Sequence, residues 1–213
     1  MLYSKMSIIG PLRSRRGPRA DGIRAVLGML ALMWVVQIIN AADSYGLDNG
    51  GGIVPRNVSH LPGIVFAPFL HASFGHLLGN TIPFVVLGGV IAMEGVRRVL
   101  TVTALVAVVS GLGVWLVASG NTDTVGASGV IFGYATYLIG RGVFNKKIGQ
   151  LLIGAAVGIV FGITLLWDLI PHPGVSWQGH LFGALGGLLA ARVLTPAGSS
   201  SRSATPVTPA PTV

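Results

Sequence analysis

The sequence predicts an all-α membrane protein, a bundle of six transmembrane helices with both termini cytoplasmic. Three observations carry this. Of 213 residues, 52% are apolar and 9% charged, whereas a soluble domain carries about 25% charged residues. The mean hydropathy is +0.75 and 32 residues are glycine, a composition that suits helices packed closely inside a bilayer. Finally, threading the apolar runs across a membrane puts 13 of the 14 basic residues on one side. The net charge of +8 therefore does not point to nucleic acid, which needs a folded basic face. The absence of cysteine excludes disulfides, thiol catalysis and cysteine-held metals.

The chain opens on a basic stretch, residues 1–22, read as an irregular cytoplasmic segment. A transmembrane helix needs about 20 mostly apolar residues, and Ile23–Ala42 is the first such run. It is longer than the core of a secretory signal, about 7–15 residues, so it is read as a helix the protein keeps. The connection Asp43–Gly75 carries Pro55, Pro62, Pro68 and Gly50-Gly51-Gly52. Loops of this length are commonly functional, and its apolar stretch Leu61–Leu70 is expected to dip into the membrane interface. The remaining spans are His76–Met93, Val99–Ala118, Val125–Phe144, Ile148–Leu169 and Trp177–Leu194. They are parted by Arg97-Arg98, by the polar patch 120–124, by Asn145-Lys146-Lys147 and by Pro171-His172-Pro173-Gly174. Proline fixes the backbone and removes a donor, so the last patch is a firm helix break. Residues 23–194 thus form one membrane domain, and the Ser/Thr/Pro-rich residues 195–213 a disordered tail.

Charge sets the orientation. Lys5, Arg13, Arg15, Arg16, Arg19 and Arg24 precede the first span, and six crossings return Arg97, Arg98, Arg141, Lys146, Lys147, Arg192 and Arg202 to the same side. Only Arg56 lies opposite, together with Asp43, Asp48, Asp123 and Asp168. The positive-inside rule then places both termini in the cytoplasm.

Polar side chains inside membrane spans are costly and are functional candidates by default. Three sets stand out: His71, His76 and Asn80; Ser128 within Gly126-Ala127-Ser128-Gly129; and His180 within Trp177-Gln178-Gly179-His180. His76, Ser128 and His180 each lie near the outer start of an even-numbered span, so all three sets are expected at one depth near the outer leaflet. His76 and Asn80 are four residues apart, about 40° around a helix, and two such donors can hold a developing oxyanion. Ser128 opens its helix, where free amides and the dipole favour negative charge. Gly126 and Gly129 leave room for a carbonyl to approach, and His180 is the general base a serine hydroxyl needs. Gly183 and Gly187 share a helix face with His180, a small-residue ridge suited to close contact within or between chains.

Blander readings stand beside these. A single Gly-x-Ser-Gly is weak evidence, and a serine in a glycine-rich helix is more often packing material. His180 can serve merely as an interhelical hydrogen-bond partner, and His71 as a loop fixture rather than a catalytic group. His60 and His172 read as solvated, and Asp168 as facing the outer water. A zinc site from His71, His76 and His180 is disfavoured, because the first two are five residues apart where helical zinc pairs use four. No metal or cofactor is expected.

Taken together, His71-x4-His76-x3-Asn80, Gly126-x-Ser128-Gly129 and His180-x2-Gly183-x3-Gly187 resemble the rhomboid family of intramembrane serine proteases. The resemblance spans roughly Ile23–Leu194 and puts the motifs on the second, fourth and sixth spans, in the six-helix core form of that family. It implies a serine endopeptidase with a Ser–His dyad: Ser128 as nucleophile, His180 as base. The oxyanion would be held by His76, Asn80 and the Ser128 amide. It further implies that Phe132 packs against the histidine, and that the fifth span and the Trp167–Ser176 loop form a mobile gate and cap. One departure is visible. Rhomboids often carry a Trp-Arg pair about nine residues before the first motif histidine, where this chain has Pro62-Gly63, so its first loop is expected to be less firmly anchored.

The implied partners are transmembrane protein substrates and the lipid bilayer, with no nucleic acid. The implied home is a prokaryotic plasma membrane with the active site toward the outside, since no organelle transit pattern is evident. Two rivals remain. One is a proteolytically inactive rhomboid-like protein that binds membrane clients. The other is a small transporter, which would continue its polar residues through to the inner side.

Overall fold

The computed structural model describes residues 17–195. The expected basic stretch up to residue 16 and the Ser/Thr/Pro-rich tail from residue 196 lie outside the described residues. Eight α-helices are seen among them: α1 (Pro18–Ala42), α2 (Gly46–Gly51), α3 (Gly63–Phe66), α4 (Phe74–Ala92), α5 (Val96–Val117), α6 (Ser128–Asn145), α7 (Ile148–Trp167) and α8 (Trp177–Val193). The six long ones coincide with the six expected spans to within a few residues. The largest difference is at the start, where residues 18–22 are helical rather than irregular. Pro18 suits a first helical turn, since its missing N–H would have no partner there, and Asp21 complements the positive end of the helix.

Four helices, α1, α4, α5 and α7, are long and apolar enough to cross a membrane by length and composition. The expectation of six such spans thus finds four on this measure, because α6 and α8 have 18 and 17 residues and carry more glycine and polar side chains. Packing explains the composition of α6. α6 buries 12 of its 18 residues and packs against α8, α7, α5 and α4, so it faces protein rather than lipid. The outer helices show the reverse. On α7 only Gly154 and Val157 are buried, and Ile159 and Ile163 are 81% and 85% exposed. With Ile38, Ile39, Ile82 and Leu116 also exposed, the apolar surface is far larger than a soluble protein tolerates. This is a multi-pass integral membrane protein.

Glycine sets how closely α6 and α8 approach. A Cβ on Gly183 would overlap the main-chain carbonyl of Gly129, and one on Gly187 would overlap that of Gly133. The predicted ridge therefore faces α6 within the chain. Ser110 of α5 fastens the same pair from the side, its Oγ donating to the Gly179 carbonyl at 2.8 Å.

The long connection between α1 and α4 is built, not slack. It holds α2, α3 and two 3-10 turns, Val58–His60 and Ala67–Phe69. Ile53 pairs with Thr124 through two main-chain hydrogen bonds of 3.0 and 3.1 Å. Its apolar stretch splits as a surface-lying segment should, with Ile64, Ala67 and Leu70 buried while Val65 and Phe66 are exposed. The loop, which lacks the Trp-Arg pair at Pro62-Gly63, is tied to α5 at other residues. Arg56 Nη1 donates to the Leu116 and Ala118 carbonyls at 3.3 and 2.8 Å, and Trp115 Nε1 donates to the Asn57 carbonyl at 3.0 Å. The guanidinium takes carbonyls at the end of α5 that have no partner within the helix.

Candidate active site

The close approach of α6 and α8 brings the first residue of one helix to the first turn of the other. Ser128 Oγ lies 2.8 Å from His180 Nε2, a hydrogen bond. The other imidazole nitrogen, Nδ1, lies 2.8 Å from the main-chain carbonyl of Asp168. A carbonyl only accepts, so Nδ1 carries the proton and neutral His180 presents Nε2 as the acceptor for the Ser128 hydroxyl. The Asp168 carbonyl is free for this because it ends α7, where carbonyls lack intrahelical partners. Asp168 thus meets the histidine through its backbone carbonyl. Phe132, one turn along α6, stacks on the His180 ring at 4.2 Å between centroids and 6° between planes.

Across from the dyad stand His76 and Asn80 on α4. The backbone at Gly126 has φ +121°, a conformation only glycine adopts readily. A Cβ there would come within 2.7 and 2.8 Å of His76 Cε1 and Nε2, and 3.8 Å from Asn80 Nδ2. Gly126 therefore leaves open a space on which both side chains converge. Asn80 is 8% exposed, and its Nδ2 has no acceptor among the described residues. A buried donor without a partner is costly, and here it borders that open space.

His71 is fully buried and does not reach the serine. Its Nε2 accepts a hydrogen bond from the Ala127 amide at 3.4 Å, which holds the turn just before Ser128. Burial, helped by the positive charge His76 can carry, pushes the His71 pKa down to about 3, so the ring is neutral and Nε2 remains an acceptor. Its ring meets His76 edge-on at 5.0 Å. Gly129 packs against Ser110 and the Gly179 carbonyl, beneath the serine. His60 and His172 each contact a main-chain carbonyl, at Gly52 and Ile170 respectively, away from the dyad.

Two cavities border the site. One, about 30 Å3, is lined by Ser128, Gly126, Ser110 and Val114. The other, about 290 Å3, is lined by His76, Thr122, Asp123, Ser176 and Gln178, polar enough to hold water. Among the described residues no set of three His, Asp or Glu side chains converges to hold a metal ion.

Residues 58–197 match the rhomboid domain family. The chain belongs to the rhomboid family. It is 40% identical over 182 residues to an uncharacterised protein of Mycobacterium tuberculosis, covering 82% of this chain and 75% of that one. An uncharacterised protein of Mycobacterium leprae is 41% identical over 179 residues, covering 80% and 70%. A candidate rhomboid protease of Bacillus subtilis, YdcA, is 32% identical over 122 residues, covering 56% and 60%.

Sequence reasoning missed three contributors in this rhomboid. The Asp168 carbonyl left no signal, because any residue supplies a carbonyl. Ser110 was a detectable polar residue within the apolar run of α5. Arg56 was legible as the lone basic residue on its side, but its carbonyl partners required the fold.

Proposed function

We propose that this rhomboid is an intramembrane serine endopeptidase that cleaves transmembrane segments of other membrane proteins near the outer leaflet. The observation that carries this reading is the Ser128–His180 hydrogen bond, with the histidine tautomer fixed by the Asp168 carbonyl. A serine hydroxyl hydrogen-bonded to the unprotonated nitrogen of a neutral imidazole is activated for nucleophilic attack.

The steps follow from the geometry. Ser128 Oγ attacks a peptide carbonyl while His180 Nε2 takes its proton. The resulting oxyanion sits beside Gly126, within reach of His76, the partnerless Asn80 Nδ2 and the Ser128 amide. His180 then protonates the leaving amine, and water from the polar cavity, deprotonated by His180, releases the acyl group. The imidazolium is stabilised by the Asp168 carbonyl and held in plane by Phe132. No acid is required as a third member. A helix must unwind to offer its carbonyl, so substrate segments with helix-weakening residues are favoured. The small cavity beside Ser128 suits a small side chain at the cut.

In the membrane we place all six long helices as spans, with α6 shielded by the others and α8 presenting Leu181, Leu185, Leu189 and Val193 outward. The basic ends face the cytoplasm and the dyad faces the outside of a prokaryotic plasma membrane.

The test is labelling of the purified, detergent-solubilised protein by a fluorophosphonate. The wild type is expected to be labelled, with the label lost in Ser128→Ala. Absence of labelling in folded wild type, or labelling that persists in Ser128→Ala, would overturn the assignment. A finer prediction concerns Gly126→Ala. It forces an L side chain into φ +121° and pushes a methyl at His76. The cleavage rate kcat is expected to fall by about 100-fold or more, as when an oxyanion donor is lost, while KM stays near wild type. Steady-state kinetics on a reporter substrate checks this.

A further inference from the structure

At the end of α6 opposite Ser128, about 20 Å away at the helical rise, lies a second polar centre that the dyad does not use. Arg141 of α6 is 5% exposed and pairs through Nη1 with Glu94. Glu94 also accepts from Tyr137 Oη at 3.2 Å and meets Arg98 Nε at 3.3 Å. One carboxylate thus serves two guanidinium groups. Arg141 Nε remains buried with no partner among the described residues, an unsatisfied donor on a charged group. The Arg141 side chain lines a cavity of about 400 Å3 together with Glu94, Arg98, Lys147, Tyr137 and Phe144. An adjoining cavity of about 480 Å3 shares Glu94 and Arg98 and adds Arg97. Three cations face one anion in the first cavity alone, so it is left with uncompensated positive charge.

We propose that this cavity is a binding site for the phosphate headgroup of an anionic phospholipid. The chemistry fits on three counts. A phosphate supplies negative charge and several strong acceptors, which the surplus of Arg98, Arg141 and Lys147 over Glu94 requires. The cavity sits at the end of the bundle where α5 and α7 begin and α4, α6 and α8 end, which is the membrane–water interface where headgroups lie. Its wall is amphipathic, with Phe144 and Leu194 beside the charges, as a headgroup continuing into acyl chains demands. Basic pockets between helices on the cytoplasmic side are a recognised form of lipid site. The proposal stands apart from the protease reading, since no residue of the dyad or of the Gly126 space takes part.

The experiment is thermal unfolding of the full-length protein in dodecyl maltoside micelles doped with phosphatidylglycerol, phosphatidylcholine, or no lipid plus inorganic phosphate. Phosphatidylglycerol is expected to raise the unfolding temperature saturably, with phosphatidylcholine ineffective. Arg98→Gln and Lys147→Gln are each expected to raise the half-saturating lipid fraction about fivefold, as for one basic side chain at an anionic surface. Because Arg98 helps hold Glu94, Lys147→Gln is the cleaner variant, and circular dichroism checks that both fold. Equal stabilisation by phosphatidylcholine, or unchanged titrations in both variants, would overturn the site. Full stabilisation by inorganic phosphate alone would assign it to a soluble phosphate and overturn the lipid reading.

Discussion

Ser128→Ala and His180→Ala are each expected to reduce substrate cleavage by about 10⁴-fold or more, with the double variant no slower than either single one. The magnitude follows from losing a nucleophile or its base, with residual rate coming only from binding and oxyanion contacts. The non-additivity is the more telling expectation. Ser128 Oγ and His180 Nε2 share one hydrogen bond, and neither does its work without the other, so removing the second partner costs nothing further. The measurement is single-turnover cleavage of a transmembrane reporter in detergent for all three variants. If the two losses multiplied in the double variant, Ser128 and His180 would act independently and the dyad would be wrong.

Gly183→Val separates α6 from α8. Any Cβ at Gly183 overlaps the Gly129 carbonyl, and backbone cannot be moved aside as a side chain can. The expected cost is about 3 kcal/mol of stability, the upper range for overpacking a close contact. Cleavage is lost as well, because Gly129 follows the nucleophile directly and Gly183 lies one turn from the base. Gly158→Ala on α7 is the matched control: nothing lies within 4 Å of its added methyl, and alanine favours helix over glycine. It is expected to unfold at or slightly above the wild-type temperature. Thermal unfolding and cleavage of both variants check this, and a stable, active Gly183→Val would show that the helix contact does not hold the site together.

The elements that were readable in the sequence are those set by single-residue physics. Apolar runs parted by charge or by Pro171-His172-Pro173-Gly174 fixed all six long helices to within a few residues, because lipid leaves the backbone no alternative to helix. Ser128, His180, His76 and Asn80 each have a bland explanation alone; they stood out as polar side chains at one membrane depth, in one order on three spans. Reading each run alone could not tell which helices face lipid. α6 is the clearest case, since twelve of its eighteen residues are buried in the bundle and its own sequence does not say so. Nor could side-chain chemistry reveal contacts made by main chain, as at Asp168, or by a residue facing a helix end, as at Arg56. The ties of the first loop are a related case, since they join Arg56 on the loop to α5 and Trp115 on α5 to the loop, a pairing across two elements that no single stretch displays.

That division of labour has a mechanical consequence. Near its C-terminus α5 receives the loop through Arg56 and Trp115, and about one turn and a half earlier its Ser110 grips the Gly179 carbonyl next to the base. α5 is therefore a strut loaded at two neighbouring points. The loop and the helix that carries His180 are thus held to the same short length of α5, so neither is anchored independently of the other.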